Sequence, residues 1–422
     1  MAQAKGDFKL IMAGRLIDGR GGPPQEQMAV LVEGKTLRAA GRRGQVKAPE
    51  GASVELFDFS DKTVLPGLVD GHTHINGFGD GRRGDDLAKC PDDILLLQSA
   101  RNARVSLRAG VTTVRENGAK GRTTFSLKDA VRLGICEGPR IVICGRPLAI
   151  TGGHMGYFGS EADGADELRK EVRKLIKEGA DYIKITATGG STRTSFPLLP
   201  SYTVDELRVI VSEAHRFGVL TAAHCVSTQG TINCLEAGAD MIIHCVFREA
   251  DGAFKFVPEV AERIGKQGAW VNPTLHVVRA TVRKLERKRE AEGLTPAEQA
   301  TLDNFRRQFE ASLDSCRRML GMGLKVMAGS DSSWSDYPSG GFVHQLEALV
   351  DAGCTPMQAI LAGTRDSAAS IGVANVVGTL EPGKAADILA VDGDPSQDIR
   401  ALWNVAAVFH DGQPVELPPR KC

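Results

Sequence analysis

Two histidines separated by one residue end an apolar run, in the segment Val69-Asp70-Gly71-His72-Thr73-His74. Because a β-strand alternates its side chains between two faces, we expect His72 and His74 to point the same way. Two imidazoles on one side of a strand end are good ligands for zinc and related transition metals. The pattern is short, however, and it also fits a solvated pair of histidines in a turn. A metal site here needs further ligands from elsewhere in the chain.

Further side chains that bind metals stand where other strands are expected to end. They are Lys184, His224, His244 and Asp331. Each has an ordinary explanation when taken alone: a snorkelling lysine, a hydrogen-bonded core histidine, or an acidic residue in a Gly-Ser-Asp turn. Their joint occurrence at separate strand ends is better explained by one shared metal site.

The elements that must position these groups alternate in the middle of the chain. A helical stretch, a glycine and four to six β-prone residues recur in seven places, at Gly110, Gly138, Gly179, Gly218, Gly238, Gly268 and Gly323. Glycine suits the left-handed position that follows a helix. With the strand that leads to His72 there are eight such strands, which predicts a parallel (β/α)₈ barrel with its chemistry at the carboxyl ends of the strands.

The two chain ends have a different pattern. Short β-prone segments separated by turn-forming clusters cover residues 8–12, 28–32, 54–58, 386–391 and 405–410. We therefore predict a small β-sandwich domain formed by residues 1–62 and 376–422, beside a distorted TIM-barrel domain over residues 63–375, in an α/β fold.

Composition limits the partners and the compartment. The 422 residues contain 52 Lys+Arg and 52 Asp+Glu, a balance that predicts neither nucleic-acid nor membrane binding. The first seven residues lack the apolar core of a secretory signal, and no apolar run approaches the ~20 residues that span a bilayer. The nine cysteines are odd in number and form no Cys-x-x-Cys pair, which favours reduced thiols. We expect a cytoplasmic protein that assembles as a homo-oligomer.

Several motifs closely resemble the amidohydrolase superfamily over nearly the whole chain. They are the segment 66–74, Lys184 within Ile183-Lys184-Ile185, the histidines 224 and 244, Gly329-Ser330-Asp331, and the tail that runs from Gly378 to Asp387. The resemblance implies an enzyme with a distorted, metal-bearing barrel and a β-sandwich made from both termini. This expectation agrees with the strand pattern above.

The resemblance also implies roles for these residues. His72, His74 and Asp331 would bind a buried metal ion, and His224 and His244 a second ion. Lys184 would carry a carbamate that bridges the two. A hydroxide between the ions would attack an amide carbonyl, and Asp331 would carry its proton to the leaving amine. Zinc is favoured by the histidine-rich ligation, with manganese or cobalt as alternatives.

Three further motifs look like the prolidase-like branch, which includes Xaa-Pro dipeptidases and ochratoxin-type amidases. They are Val114-Arg115-Glu116, Thr151-Gly152-Gly153-His154 and Ala187-Thr188-Gly189-Gly190. The branch implies that His154 stabilises the developing oxyanion as a catalytic and substrate-binding residue. Val226 departs from the branch, which often has an aromatic residue or histidine at that position.

The substrate end of the site is left open. Arg193 and Arg115 are both candidates for binding a substrate carboxylate, and both have scaffold explanations. We predict hydrolysis of a dipeptide or N-acyl amino acid; the alternative is a carbamate, urea or lactone, including xenobiotics. Deamination is disfavoured because Lys184 is present and Ser227 stands where deaminases of the superfamily carry a glutamate. A non-enzymatic scaffold is disfavoured because all six ligands are kept.

Overall fold

The computed structural model describes residues 8–419. The first seven residues, on which the prediction about a secretory signal depends, and Cys422 lie outside this range. Strands in the described range are β1 (Phe8–Leu16), β2 (Gln25–Glu33), β3 (Thr36–Arg42), β4 (Val54–Pro66), β5 (Leu68–Thr73), β6 (Val111–Glu116), β7 (Arg140–Ile143), β8 (Tyr182–Ile185), β9 (Leu220–Ser227), β10 (Met241–Arg248), β11 (Trp270–Asn272), β12 (Ile388–Val391), β13 (Val405–His410) and β14 (Gln413–Pro414).

Helices connect and cover the strands. They are α1 (Gly84–Leu87), α2 (Asp92–Arg108), α3 (Thr123–Arg132), α4 (Gly164–Glu178), α5 (Val204–Arg216), α6 (Thr228–Ala237), α7 (Pro258–Gln267), α8 (Leu275–Glu292), α9 (Pro296–Gly321), α10 (Val343–Asp351), α11 (Pro356–Leu361) and α12 (Ser367–Ser370). A π-helical turn over Ala362–Asp366 joins the last two.

Strands from both chain ends pair in one seven-stranded sheet, in the order β14-β13-β12-β4-β1-β2-β3. Its side chains alternate between two apolar clusters. Ile11 and Val30 pack in one cluster, whereas Leu10 and Leu31 pack in the other. This alternation follows from the two-residue period of a strand. The predicted terminal segments thus form strands of a common sheet.

The middle of the chain forms two parallel sheets, β5-β6-β7 and β11-β10-β9-β8. Every residue of β5, β6 and β8 is buried. Burial on both faces is expected when helices cover a parallel sheet, and here it includes the polar residues that these strands carry. The carboxyl ends of these strands carry the predicted metal ligands.

The eighth predicted strand, residues 324–328, is not a strand. Only Val326 forms an isolated bridge there, with Val271 of β11. The ladder stops because the Ala328 N–H donates to the carbonyl of Ala362 in the π-helical turn rather than to a neighbouring strand. The Gly71 N–H nevertheless donates to the Ala328 carbonyl at 3.1 Å, which ties this segment to β5. The segment therefore still delivers Asp331 beside His72.

Within residues 8–419 no helix is both long and apolar enough to cross a membrane.

Candidate active site

Three predicted ligands converge behind the mouth of one cavity. His72 and His74 lie at the end of β5, and Asp331 follows the irregular segment beside it. The distances are 3.4 Å between the two Nε2 atoms, 3.3 Å from His72 Nε2 to Asp331 Oδ1, and 3.2 Å from His74 Nε2 to the same oxygen. All three residues are at most 5 % exposed. The spacing of the two histidines in the sequence therefore brings their rings together as expected.

Neighbouring acceptors define which nitrogen of each ring carries its proton. Asn272 Nδ2 donates to the Gly329 carbonyl, which turns its Oδ1 toward His72 Nδ1 at 2.8 Å. His74 Nδ1 lies 3.3 Å from the Gly118 carbonyl. Each Nδ1 is therefore a donor and each Nε2 a bare acceptor. The close approach of the two Nε2 atoms is thus a pair of lone pairs and not a hydrogen bond.

The arrangement fits a metal ion. Asp331 Oδ1 is buried without a hydrogen-bond partner, and it faces two unprotonated nitrogens. Ligands held about 2.0–2.1 Å from a zinc ion in a tetrahedron lie about 3.4 Å apart, close to the distances found here. Without a hydrogen bond of its own, this carboxylate oxygen is available to a cation.

A second pair of imidazoles lies alongside. His224 Nε2 donates to the Gly189 carbonyl at 3.1 Å, leaving Nδ1 to face His244 Nε2 at 2.9 Å. Thr274 Oγ1 lies 2.7 Å from His244 Nδ1. Burial lowers the pKa of His244 to about 4 and holds that of His224 well below its usual range, so both rings are neutral. Neutral imidazoles are the form that binds metals.

Lys184 is the next-to-last residue of β8 and lines the same cavity as these histidines. It is 1 % exposed, and its Nζ lies 3.5 Å from Asn117 Oδ1. Burial lowers the pKa of Lys184 to about 8. About a tenth of the side chain is then neutral at pH 7, far more than for a lysine in water. A neutral amine is the reactive form of this side chain.

His154 projects into the same cavity from the loop that follows β7. Its ring centroid lies 4.6 Å from that of His224, and its Nδ1 lies 3.0 Å from Thr192 Oγ1. A Cβ on Gly190 would come within 2.6 Å of the ring, so only glycine admits the histidine there. Burial lowers the pKa of His154 to about 3, which makes the ring neutral. A neutral imidazole supplies one N–H to an oxygen beside the metal ligands.

The cavity has a volume of about 330 Å³. Its floor is formed by His74, Lys184, His224, His244 and Asp331. Its outer wall is largely apolar and comes from the loops after β8 and β10 and from helices α8 and α9; it includes Pro197, Val226, Phe254, Val277 and Phe305. A polar floor under an apolar wall suits a small substrate with one reactive carbonyl and a bulky apolar group.

The two arginines proposed for the substrate lie elsewhere. Arg193 is exposed and pairs with Asp86 at 3.3 Å. Arg115 is buried over the ring of Tyr182, at 4.9 Å from its centroid, and burial lowers its pKa. Neither lines the cavity. Trp334 does line it, with its ring 4.7 Å from that of His74.

Some side chains that orient the site were missed by sequence reasoning. Asn272 ends the predicted strand 269–272, so the rule that strand ends carry the site would have found it. Thr274 and Thr192 lie in loops without a recognisable motif. Asp331, His244 and Thr274 all have positive φ, at 61°, 67° and 41°. Such backbone is uncommon outside glycine and is often held at functional sites.

Fold and site together are those of the amidohydrolases, and the model of the amidohydrolase family matches residues 63–415. The chain belongs to this family. It is 27% identical over 436 residues to ochratoxinase of Aspergillus niger, covering 95% of this chain and 84% of the relative.

Solved structures narrow the branch. A Xaa-Pro dipeptidase with methionine bound in its active site superposes with a TM-score of 0.84 at 27% identity, over 97% of this chain and 100% of the other. A putative prolidase from Bifidobacterium longum gives 0.80 at 27% identity, over 99% and 97%. The predicted resemblance to the prolidase-like branch is confirmed. The protein is a hydrolase of amide or other carbon–nitrogen bonds, in a family that is generally metal-dependent.

Proposed function

We propose that this protein is a binuclear metal hydrolase that cleaves the amide bond of a dipeptide or an N-acyl amino acid. One observation carries the proposal: three buried acceptors, His72 Nε2, His74 Nε2 and Asp331 Oδ1, lie 3.2–3.4 Å apart with no proton to share. Without a cation this cluster is electrostatically unfavourable.

Each predicted ligand has a place in the proposal. His72, His74 and Asp331 would hold the buried ion, His224 and His244 the second, and Lys184 would bridge them as a carbamate. The neutral amine of Lys184 would add to carbon dioxide and release one proton. The side chain, otherwise a cation, would thereby become an anionic ligand. Bound ions would supply Lewis acidity and a water of lowered pKa.

Two side chains then handle protons and charge. The Asp331 carboxylate would accept the proton of the attacking water and deliver it to the leaving nitrogen. His154 would donate its ring N–H to the carbonyl oxygen as negative charge develops there. Thr192 supports this role, because its hydroxyl oxygen accepts the Met155 N–H at 3.1 Å and its O–H can then donate to His154 Nδ1 at 3.0 Å, which keeps the ring proton on Nε2.

We also propose how the sheets are assembled into domains. Isolated parallel bridges join Leu148 to Ile185, Val271 to Val326 and Thr73 to Ser332. They support closure of the two parallel sheets into one distorted (β/α)₈ barrel over residues 63–375. The terminal sheet supports a β-sandwich domain of residues 1–62 and 376–422. The eight cysteines of the described range are free thiols, which supports a reducing compartment such as the cytoplasm.

One alternative has specific support. Val226 lines the cavity and offers no hydrogen bond where prolidase-like enzymes often have an aromatic residue or histidine. A neutral carbamate, urea or lactone would need no such contact and would use the same metal site.

A substrate screen tests the proposal. Protein expressed with zinc, manganese or cobalt is first assayed for metal content, and we expect close to two ions per chain. Libraries of dipeptides and N-acyl amino acids are then compared with carbamates, ureas and lactones. Hydrolysis confined to the second group supports the alternative, whereas well under one ion per chain after metal supplementation counts against a metal enzyme.

A further inference from the structure

One charged side chain lies on the wall of the cavity rather than on its floor. Among the described residues that line the cavity, Arg248 is the only Arg, Lys, Asp or Glu apart from Lys184 and Asp331 of the floor. It ends strand β10, four residues after His244. Its neighbours on the wall include Val226, Val246 and Phe254, which offer it no hydrogen bond. Arg248 is therefore a single cation on a largely apolar wall.

The chain leaves this charge uncompensated. Arg248 Nε donates to the Gly252 carbonyl at 3.2 Å, and across residues 8–419 the Nη groups have neither an ion pair nor a hydrogen bond. The acids of the same loop are engaged elsewhere. Glu249 accepts from Thr228 Oγ1 at 2.7 Å, and Asp251 accepts from the Ala253 N–H at 2.9 Å. Two parallel donors thus remain available to a ligand.

The guanidinium is also held in place. The Glu249 N–H donates to the Ala253 carbonyl at 2.8 Å, and the Lys255 N–H donates to the Phe247 carbonyl at 2.9 Å. These bonds close a hairpin that brings the Phe254 ring under Arg248, 5.2 Å from its centroid. A stacked, anchored guanidinium presents its edge to a planar anion with little loss of entropy.

We propose that Arg248 binds the carboxylate of the substrate, and that the enzyme therefore prefers N-acyl amino acids or dipeptides with a free C-terminal carboxylate and a large apolar side chain. A carboxylate matches the fork of two guanidinium donors. The apolar wall around it receives the side chain of the leaving amino acid. This inference rests on the proposed amide hydrolysis at the metal site, and it assigns to Arg248 the role considered above for Arg193 or Arg115.

The test measures a preference rather than an activity. N-Acyl amino acids are paired with their C-terminal carboxamides, which differ only in the negative charge, and kcat/KM is measured for each pair with the metal-loaded enzyme. For pairs that are not hydrolysed, dissociation constants from calorimetry take the place of kcat/KM. We expect the wild type to prefer the carboxylate by about 10- to 150-fold, the range of a charge-assisted bidentate contact.

Variants assign the preference to a residue. Arg248→Met should bring the ratio of carboxylate to carboxamide close to one, and Arg248→Lys should retain part of it. Arg193→Met and Arg115→Met test the competing positions. Circular dichroism and metal content verify that each variant is folded and loaded, and Arg248→Lys serves if the methionine variant fails to fold.

Different outcomes separate the two proposals. A wild type without a preference for the carboxylate, a preference that survives Arg248→Met, or one that collapses in Arg193→Met would overturn the role of Arg248 while leaving the hydrolase in place. Binding that follows Arg248 without cleavage of any amide would retain the subsite and contradict the proposed function.

Discussion

Replacement of Asn272 by leucine tests the arrangement of the proposed metal ligands most directly. The leucine has the same number and branching of side-chain heavy atoms, but it removes the acceptor at 2.8 Å from His72 Nδ1 and the donor at 3.1 Å from the Gly329 carbonyl. The His72 proton is then free to move to Nε2, where it would block the lone pair that faces Asp331. We expect weaker metal binding without loss of any proposed ligand.

The size of the effect follows from the contacts that are lost. Removing a group that orients a metal-bound histidine costs about 10- to 100-fold in metal affinity, or about 1.4–2.7 kcal/mol. The metal-free protein also loses two buried hydrogen bonds, each contributing about 1 kcal/mol. We therefore expect the free energy of unfolding of the metal-free protein to fall by about 2 kcal/mol.

Gln345→Met is the matched control. Gln345 is also a fully buried amide, and its Oε1 accepts the backbone N–H of His276 at 2.9 Å, away from the metal ligands. It should lower stability by about 1 kcal/mol and leave metal affinity unchanged. Affinity is measured by competition with a zinc indicator, and stability by urea unfolding after chelation. Affinity within threefold of wild type in folded Asn272→Leu, or an equal loss in Gln345→Met, would refute the reasoning.

Three further predictions concern catalysis and pH. His154→Leu should lower kcat by about 10²- to 10³-fold with little change in KM, measured by steady-state kinetics, because it removes a donor to the oxyanion. Lys184→Ala should lose most activity and the second ion, with partial rescue by short carboxylic acids; full activity without rescue contradicts a bridging role. Burial raises the pKa of Glu347, but hydrogen bonds from His344 and Trp403 outweigh burial and hold that pKa at about 2, against 4.5 in the unfolded chain. The ionised Glu347 should therefore stabilise the fold fully above pH 4.5, and this stabilisation should vanish as the pH falls toward 2. The difference in Tm between the wild type and Glu347→Gln, followed against pH, measures this.

The sequence predicts the strands wherever local patterning is strong. Segment 405–410 matches β13, and segment 28–32 lies within β2. The eighth predicted strand shows where such patterns fail. Its residues are β-prone, yet the Ala328 N–H is taken by the Ala362 carbonyl, and no local pattern reveals a competitor 34 positions away. Strand content is local, whereas the pairing of each N–H depends on the assembled fold.

The arginines show the same contrast between what local sequence predicts and what the assembled fold decides. Arg115 lies near the end of β6, Arg248 ends β10 and Arg193 lies in the loop after β8, so spacing offers no way to rank them. The structure buries the first against Tyr182, pairs the second with Asp86 and leaves the third unpaired at the cavity wall. A contact to substrate depends on direction and on competing partners, and both arise only when the chain is folded.

His72 and His74 show both what the sequence determines and what only the tertiary structure decides. The sequence predicts that the two histidines lie on the same face of one strand, because the period of a strand is a local property. It also predicts positions near strand ends for Lys184, His224, His244 and Asp331. Which ring nitrogen is left bare does not follow from local sequence. It depends on the Asn272 amide, 200 residues from His72, and on the backbone carbonyls of Gly118 and Gly189. The sequence determines the donors, and the tertiary structure decides their protonation and direction, because hydrogen-bond partners are chosen by proximity in space.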